Sequence, residues 1–283
     1  MSEDDATQAA GVARDYYNTR DVDGFYATVW GGEDIHTGIY AGHEEAIGLA
    51  SRRTVERIAD QVADALGPGR GLLDLGAGYG GAARYLARRF GCRIVALNIS
   101  PLQNERHRKL NAEQGFAGLI DVVTGSFNDI PAADGRFDVV WSQEALCHSG
   151  DRALTLAEAV RVLAPGGRLA FTDLMAADGA RPDALRPLCD RLNVKDLATA
   201  AFYRERLTAL GLTGVRFEDL SEHLPVHYQR LAEEVERHGP ELTEVISEEY
   251  LNGLRENLPL CVRACREGLL SWGIFHARKR QAV

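Results

Sequence analysis

Short apolar runs alternate with helical patterns from Asp74 onward. Leu72 and Leu73 end one buried strand, and the runs 92–98, 119–124, 137–142 and 168–173 predict further strands. Ala82, Ala83, Tyr85, Leu86 and Phe90 recur at helical spacing behind the first strand. Pro101 suits the first turn of a helix after Ser100, and Pro165-Gly166-Gly167 stops a helix over 151–163 that carries Leu154, Val160 and Leu163. This alternation predicts an α/β fold built on a doubly wound, mainly parallel sheet. Further on, 197–210 reads as helix, while 214–219 and 268–278 read as extended and form an antiparallel end to the sheet. Between those two runs, residues 221–266 are helical in pattern, charged and interrupted by prolines, too long for a plain connection. They are expected to form an inserted helical cap. Residues 1–65 precede the first strand, carry aromatics at 16, 17, 25, 26 and 30, and are expected to form a helical lid. The expected organisation is a lid over 1–65, a core over 66–220 and 267–283, and a cap over 221–266, with no internal repeat.

Composition narrows the partners. A chain of 283 residues with ordinary apolar and charged fractions holds one α/β core with appended elements. A net charge of -9 disfavours a polyanion such as nucleic acid. Five scattered cysteines, Cys92, Cys147, Cys189, Cys261 and Cys265, have no paired CxxC spacing, and their odd number argues against a complete disulfide framework. A reducing compartment is expected. The first eight residues are acidic and polar, unlike a signal or transit peptide, and no apolar run reaches spanning length. The expectation is therefore a cytoplasmic protein with no membrane partner; its oligomeric state is left open.

Residues 72–81, Leu-Leu-Asp-Leu-Gly-Ala-Gly-Tyr-Gly-Gly, read as a strand running into a glycine turn that opens a helix. Gly76, Gly78 and Gly80 are expected to let backbone amides approach a nucleotide-like ligand. Glycines also serve tight turning alone, so the second strand matters. It ends in Asn98, about 20 residues beyond the loop, where open parallel sheets read a ribose. An amide there both donates and accepts hydrogen bonds without charge. The fourth strand ends in Trp141-Ser142-Gln143-Glu144, at the carboxyl edge where such sheets bind ligands.

The DLGAGYGG loop, Asn98, VVTGSFNDIP (122–131) and RVLAPGGRLAFTD (161–173) resemble class I methyltransferases that use S-adenosylmethionine, whose Rossmann-like sheet has seven strands. FYATVWGGEDIHTGIY (25–40), ALNISPLQN (96–104) and WSQEALCHS (141–149) are similar to a narrower family, the sarcosine/dimethylglycine N-methyltransferases that make the osmolyte glycine betaine. Asn98 and Ser126, in place of the usual acids, agree with that family. The resemblance implies Gly76, Ala77 and Gly78 under the methionine part of the cofactor, Asn98 on the ribose with Ile99 and Gln103 beside it, and Ser126 and Phe127 along the adenine. It also implies Tyr17, Trp30 and His36 closing over the methionine part as a water-excluding lid. Phe127 is equally well read as plain core.

For the transferred methyl, Gln143 is the first candidate, and His148 is read as assisting substrate binding, removing a proton, or serving structure alone. If the acceptor is a glycine derivative, the product of full methylation is a cation, and aromatic faces suit it. Tyr26, Trp30, Tyr203, Tyr228 and Trp272 are the available rings. A substrate carboxylate would draw on Arg191, Arg204 or His227. No metal is required: His223 and His227 are four apart, but Pro225 interrupts their helix. Three other readings remain open: a methyltransferase tailoring a secondary metabolite at oxygen, nitrogen or carbon; a catalytically silent cofactor-binding regulator; and a nicotinamide-dependent hydride-transfer enzyme.

Overall fold

The computed structural model describes residue 11 and residues 19–30, 33–192 and 194–281, apart from the side chain of Arg191. Seven strands, β1 (Gly71–Leu75), β2 (Arg93–Asn98), β3 (Ile120–Thr124), β4 (Phe137–Gln143), β5 (Leu163–Ala176), β6 (Leu212–Asp219) and β7 (Leu270–Lys279), make one sheet in the order β3-β2-β1-β4-β5-β7-β6. The first five are parallel, and β7 runs antiparallel between β5 and β6. Leu75 at the end of β1 registers with Leu97 of β2 on one side and Ser142 of β4 on the other. Strand order reverses between β1 and β4, which opens a crevice at their carboxyl ends.

Local chemistry sets most helix boundaries. In α3 (Gly81–Phe90), Gly91 takes a left-handed conformation and its N–H closes on the Ala87 carbonyl. The side chain of Ser100 caps α4 (Pro101–Glu113), Asp151 caps α5 (Arg152–Val162) and Thr199 caps α7 (Ala200–Ala209), each accepting from a backbone N–H three residues on. α6 spans Pro182–Leu192. Strand β5 differs from expectation: it begins at Leu163 and runs through Pro165-Gly166-Gly167. Phe137 pairs with Leu163 and Val139 with Arg168, so the proline and glycines form an irregular insertion within the ladder.

Both sheet faces are covered. On one, α5 and α7 bury Leu156, Val160, Tyr203 and Leu207. On the other, α2 (Ile47–Val62) buries Val55, Ile58 and Val62, each with no exposed surface, beside Ala83 and Leu86 of α3. The segment ahead of β1 thus divides by packing: α2 lies on the sheet, whereas α1 (Arg20–Val29) packs on the helices between β6 and β7. Those helices are α8 (Leu224–Arg237), α9 (Gly239–Val245) and α10 (Glu248–Arg266). Pro225 and Pro240 occupy first turns, where a missing N–H breaks no helical bond; Pro259 lies inside α10. Among the described residues no helix is long and apolar enough to cross a membrane.

Candidate active site

A cavity of about 1010 Å³, its open mouth included, lies at the carboxyl ends of β1, β2 and β4 beneath α1 and α8. Gly76, Gly78, Asn98, Ile99, Gln103 and Phe127 line its sheet side. Tyr26, Trp30, His36, His227 and Tyr228 line the opposite side, with Gln143 and His148 at the end of β4. Sequence reasoning missed Ile35, Thr37, Glu144, Ala145, Cys147, Leu174, Leu192 and Leu231. Leu231 was within reach, since it stands one helical turn beyond His227 on α8.

The glycines of the loop act differently from expectation. All three have positive φ, 78° at Gly76, 50° at Gly78 and 77° at Gly80. The amides of Gly76 and Ala77 turn toward the Leu97 carbonyl, at 2.8 and 3.3 Å, rather than toward a ligand. A Cβ on Gly76 would strike Ala145, and one on Gly80 would overlap the His107 ring. Only Gly78 has its bare face on the cavity, toward Ile35 at 3.5 Å. Ala77 is buried outside the lining, and Ser126 turns its hydroxyl to the Asn128 amide at 3.2 Å.

The polar floor suits a nucleoside. Asn98 Nδ2 donates to Gln103 Oε1 at 3.0 Å, and Gln103 Nε2 is buried without a hydrogen-bond partner among the described residues. Trp141 Nε1 donates to Gln143 Oε1 at 3.2 Å, which fixes that amide and leaves the buried Gln143 Nε2 likewise unpartnered. Buried donors without partners are rare and costly, and two of them at one cavity wall call for acceptor oxygens from a ligand or from water.

Glu144 is the strained point of the site. Its φ of 44° is the one positive value at a non-glycine among the described residues. Its N–H donates to the Thr172 carbonyl at 3.0 Å, Trp272 Nε1 donates to its Oε1 at 2.7 Å, and His36 Nδ1 lies 3.1 Å from its Oε2. Burial opposes the charge of Glu144, yet His36, Trp272 and Thr172 together hold its carboxyl below the usual range. Burial likewise opposes the charge of His36, but Glu144, Asp34 and Asp74 raise its pKa. Asp74, buried behind the loop with Oδ2 unpartnered among the described residues, is pushed up to about 7 by burial, with His36 pulling back. His148 is pushed down to about 4 by burial and then by Arg152, so it is neutral at pH 7.

Several expected residues stand elsewhere. Tyr203 does not reach the cavity: it is fully buried on the far face, packed edge-on or tilted against Phe171, Phe202 and Phe275, with its hydroxyl donating to Asp173 Oδ2 at 2.6 Å. Its helix packs the sheet, so its ring serves the core. Tyr203→Phe should therefore cost about 1–3 kcal/mol in urea unfolding while turnover at saturating substrate holds within about twofold. Trp272 is also buried and acts through Glu144, and Arg204 is exposed over the Phe217 ring. Tyr17 and the side chain of Arg191 lie outside the described residues. His223 and His227 share a partner: Tyr40 donates its N–H to His223 Nδ1 at 3.2 Å and places its hydroxyl 2.9 Å from His227 Nδ1.

A switch-point crevice, a glycine loop at β1 and an amide pair at β2 define a class I S-adenosylmethionine-dependent methyltransferase. A methyltransferase domain family matches residues 73–171. A glycine/sarcosine/dimethylglycine N-methyltransferase of Actinopolyspora halophila is 50% identical over 96% of this chain, which spans about half (48%) of that protein. A sarcosine/dimethylglycine N-methyltransferase of Halorhodospira halochloris is 48% identical over 96% of this chain and 97% of its own. A crystal structure from Galdieria sulphuraria, provisionally assigned as a sarcosine dimethylglycine methyltransferase, superposes with a TM-score of 0.88 at 38% identity, covering 95% of this chain and all (100%) of that one. The chain belongs to the sarcosine/dimethylglycine N-methyltransferase family.

Proposed function

We propose that this protein methylates sarcosine and N,N-dimethylglycine to glycine betaine in a reducing, cytosolic compartment. S-adenosylmethionine supplies an electrophilic methyl group on a sulfonium. Supporting the choice of an amine acceptor is one observation: the rings of Tyr26, Trp30 and Tyr228 and the carboxylate of Glu144 line the same cavity as the cofactor residues, and among the described side chains no lysine or arginine lines it.

The acceptor nitrogen must arrive unprotonated, because its lone pair forms the new bond while the carbon–sulfur bond breaks. Positive charge then grows on nitrogen. Glu144 and the rings favour that charge; each ring face contributes roughly 0.5–2 kcal/mol without occupying the lone pair. A carboxylate at a preorganised, water-poor wall acts more strongly still. The rings of Tyr26 and Trp30 meet at a tilt, centroids 4.9 Å apart, and, with Leu231, exclude water from the methyl path. Gln143, held by Trp141, orients the donor side. His148 has too low a pKa to store the displaced proton and serves as a neutral hydrogen-bonding group. His227, gripped by Tyr40, is our candidate for the acceptor carboxylate, with Arg191 the second.

The test is product mass after incubation with the methyl donor and a panel of glycine, sarcosine, dimethylglycine and phenols. One added methyl on dimethylglycine and two on sarcosine are expected. Turnover of a phenol with none of a glycine derivative overturns the reading.

A further inference from the structure

The one aromatic of the glycine loop has a partner far outside it. Tyr79 lies between Gly78 and Gly80 with no exposed surface, and its hydroxyl donates to Asp23 Oδ1 at 2.5 Å. Arg106, on α4, contacts both carboxylate oxygens of Asp23 at 3.2 and 3.3 Å and lies with its guanidinium carbon 4.5 Å from the Tyr79 ring centre. Asp23 thus joins three elements: the helix α1, the cofactor loop and the helix after β2.

Helical spacing makes this contact consequential. Asp23, Tyr26 and Trp30 stand at i, i+3 and i+7 and share one face of α1 and its cap. The residue that reaches the loop is therefore on the same stripe as the two rings that line the cavity. The neighbouring acid, Asp21, faces the other way: the N–H and hydroxyl of Ser247, the cap of α10, both donate to it, at 2.8 and 2.5 Å. That contact anchors α1 to the helices between β6 and β7. Asp23 anchors it to the loop.

We infer that Asp23 is a positioning residue which, through Tyr79 and Arg106, couples the cofactor loop to the aromatic wall on the acceptor side. The inference rests on the reading of that wall as the amine site. Ordering of the loop by cofactor is transmitted along the half-buried phenol–carboxylate bond to α1, and the rings of Tyr26 and Trp30 are held where the acceptor must pack. An acid in the first turn of a helix also favours the helix dipole. That simpler role changes stability alone and leaves nothing to transmit.

The experiment compares wild type, Asp23→Ala, Asp23→Asn and Tyr79→Phe. Hydrogen exchange at residues 22–30 is measured with and without S-adenosylhomocysteine, and acceptor KM, kcat and cofactor Kd are measured in parallel. In wild type the ligand should slow exchange in α1 by roughly tenfold. Asp23→Ala and Tyr79→Phe should lose that response and raise acceptor KM by about tenfold, with cofactor Kd shifting less than about threefold. Asp23→Asn, which still accepts from the phenol, should retain part of both. Unchanged ligand-induced slowing in Asp23→Ala and Tyr79→Phe overturns the coupling, as does a fall in cofactor affinity equal to the rise in acceptor KM. Because exchange is read without any amine, a wrong acceptor shows only in turnover, and the two failures are told apart.

Discussion

Glu144→Gln is expected to lower kcat/KM for the amine by roughly 100-fold, the scale for losing one preorganised electrostatic group at a reacting centre. The substitution keeps the shape, and the new amide oxygen still accepts from Trp272 Nε1, so the fold survives. What disappears is the negative charge facing the growing ammonium. His36, no longer paired, gives up its proton, and no buried cation is left behind. The stability signature has a defined sign. His36 has a folded pKa above its ordinary 6.5, so its contribution is present below 6.5 and is lost as pH rises through the raised value. Glu144 has a folded pKa below its ordinary 4.5, so its contribution is present above 4.5 and is lost as pH falls through the lowered value. The Tm gap between wild type and Glu144→Gln should therefore be widest between pH 4.5 and 6.5 and narrow on both sides. A variant with near-native kcat/KM, or a gap that widens toward high pH, removes the His36–Glu144 pair from the mechanism.

The second large effect is expected at Gly76→Ala. A left-handed residue with a Cβ costs about 1–2 kcal/mol, and Gly76 has φ of 78°. The added methyl also meets the Ala145 side chain, which follows directly on the strained Glu144. Relief requires moving either the loop or the end of β4, and overpacking of that kind costs about 1–3 kcal/mol more. Both movable parts line the cavity proposed to hold the cofactor, so cofactor affinity by calorimetry should fall by about 100-fold or more. Gly42→Ala is the control: Gly42 is exposed, its surroundings are open and its φ is not positive, so its Tm should stay close to wild type. Wild-type cofactor affinity in Gly76→Ala would show that the loop tolerates what the geometry forbids.

The same glycine marks the limit of reading a loop from its letters. The spacing of Gly76, Gly78 and Gly80 announced a tight ligand loop, and the cavity lies there. Why each glycine is needed depends on what stands opposite: Ala145 just beyond β4, Ile35 across the cavity, and His107 from α4. Tyr203 shows the converse. Its helix was legible, but a ring counts as core or site only by the face it takes, and its face is the sheet.

Alone, the sequence determined the alternation of strands and helices, the antiparallel end, the loop at β1, Asn98 at β2 and the β4 edge. Those features are written in neighbouring residues, through apolar runs, capping side chains and glycine or proline breaks, and need no distant partner. The tertiary structure alone decided that Glu144 is a paired, strained carboxylate, that Trp272 of β7 serves it, and that Asp23 meets Tyr79. Each of these contacts joins segments far apart in the chain, and only the closed sheet order brings them within hydrogen-bonding distance.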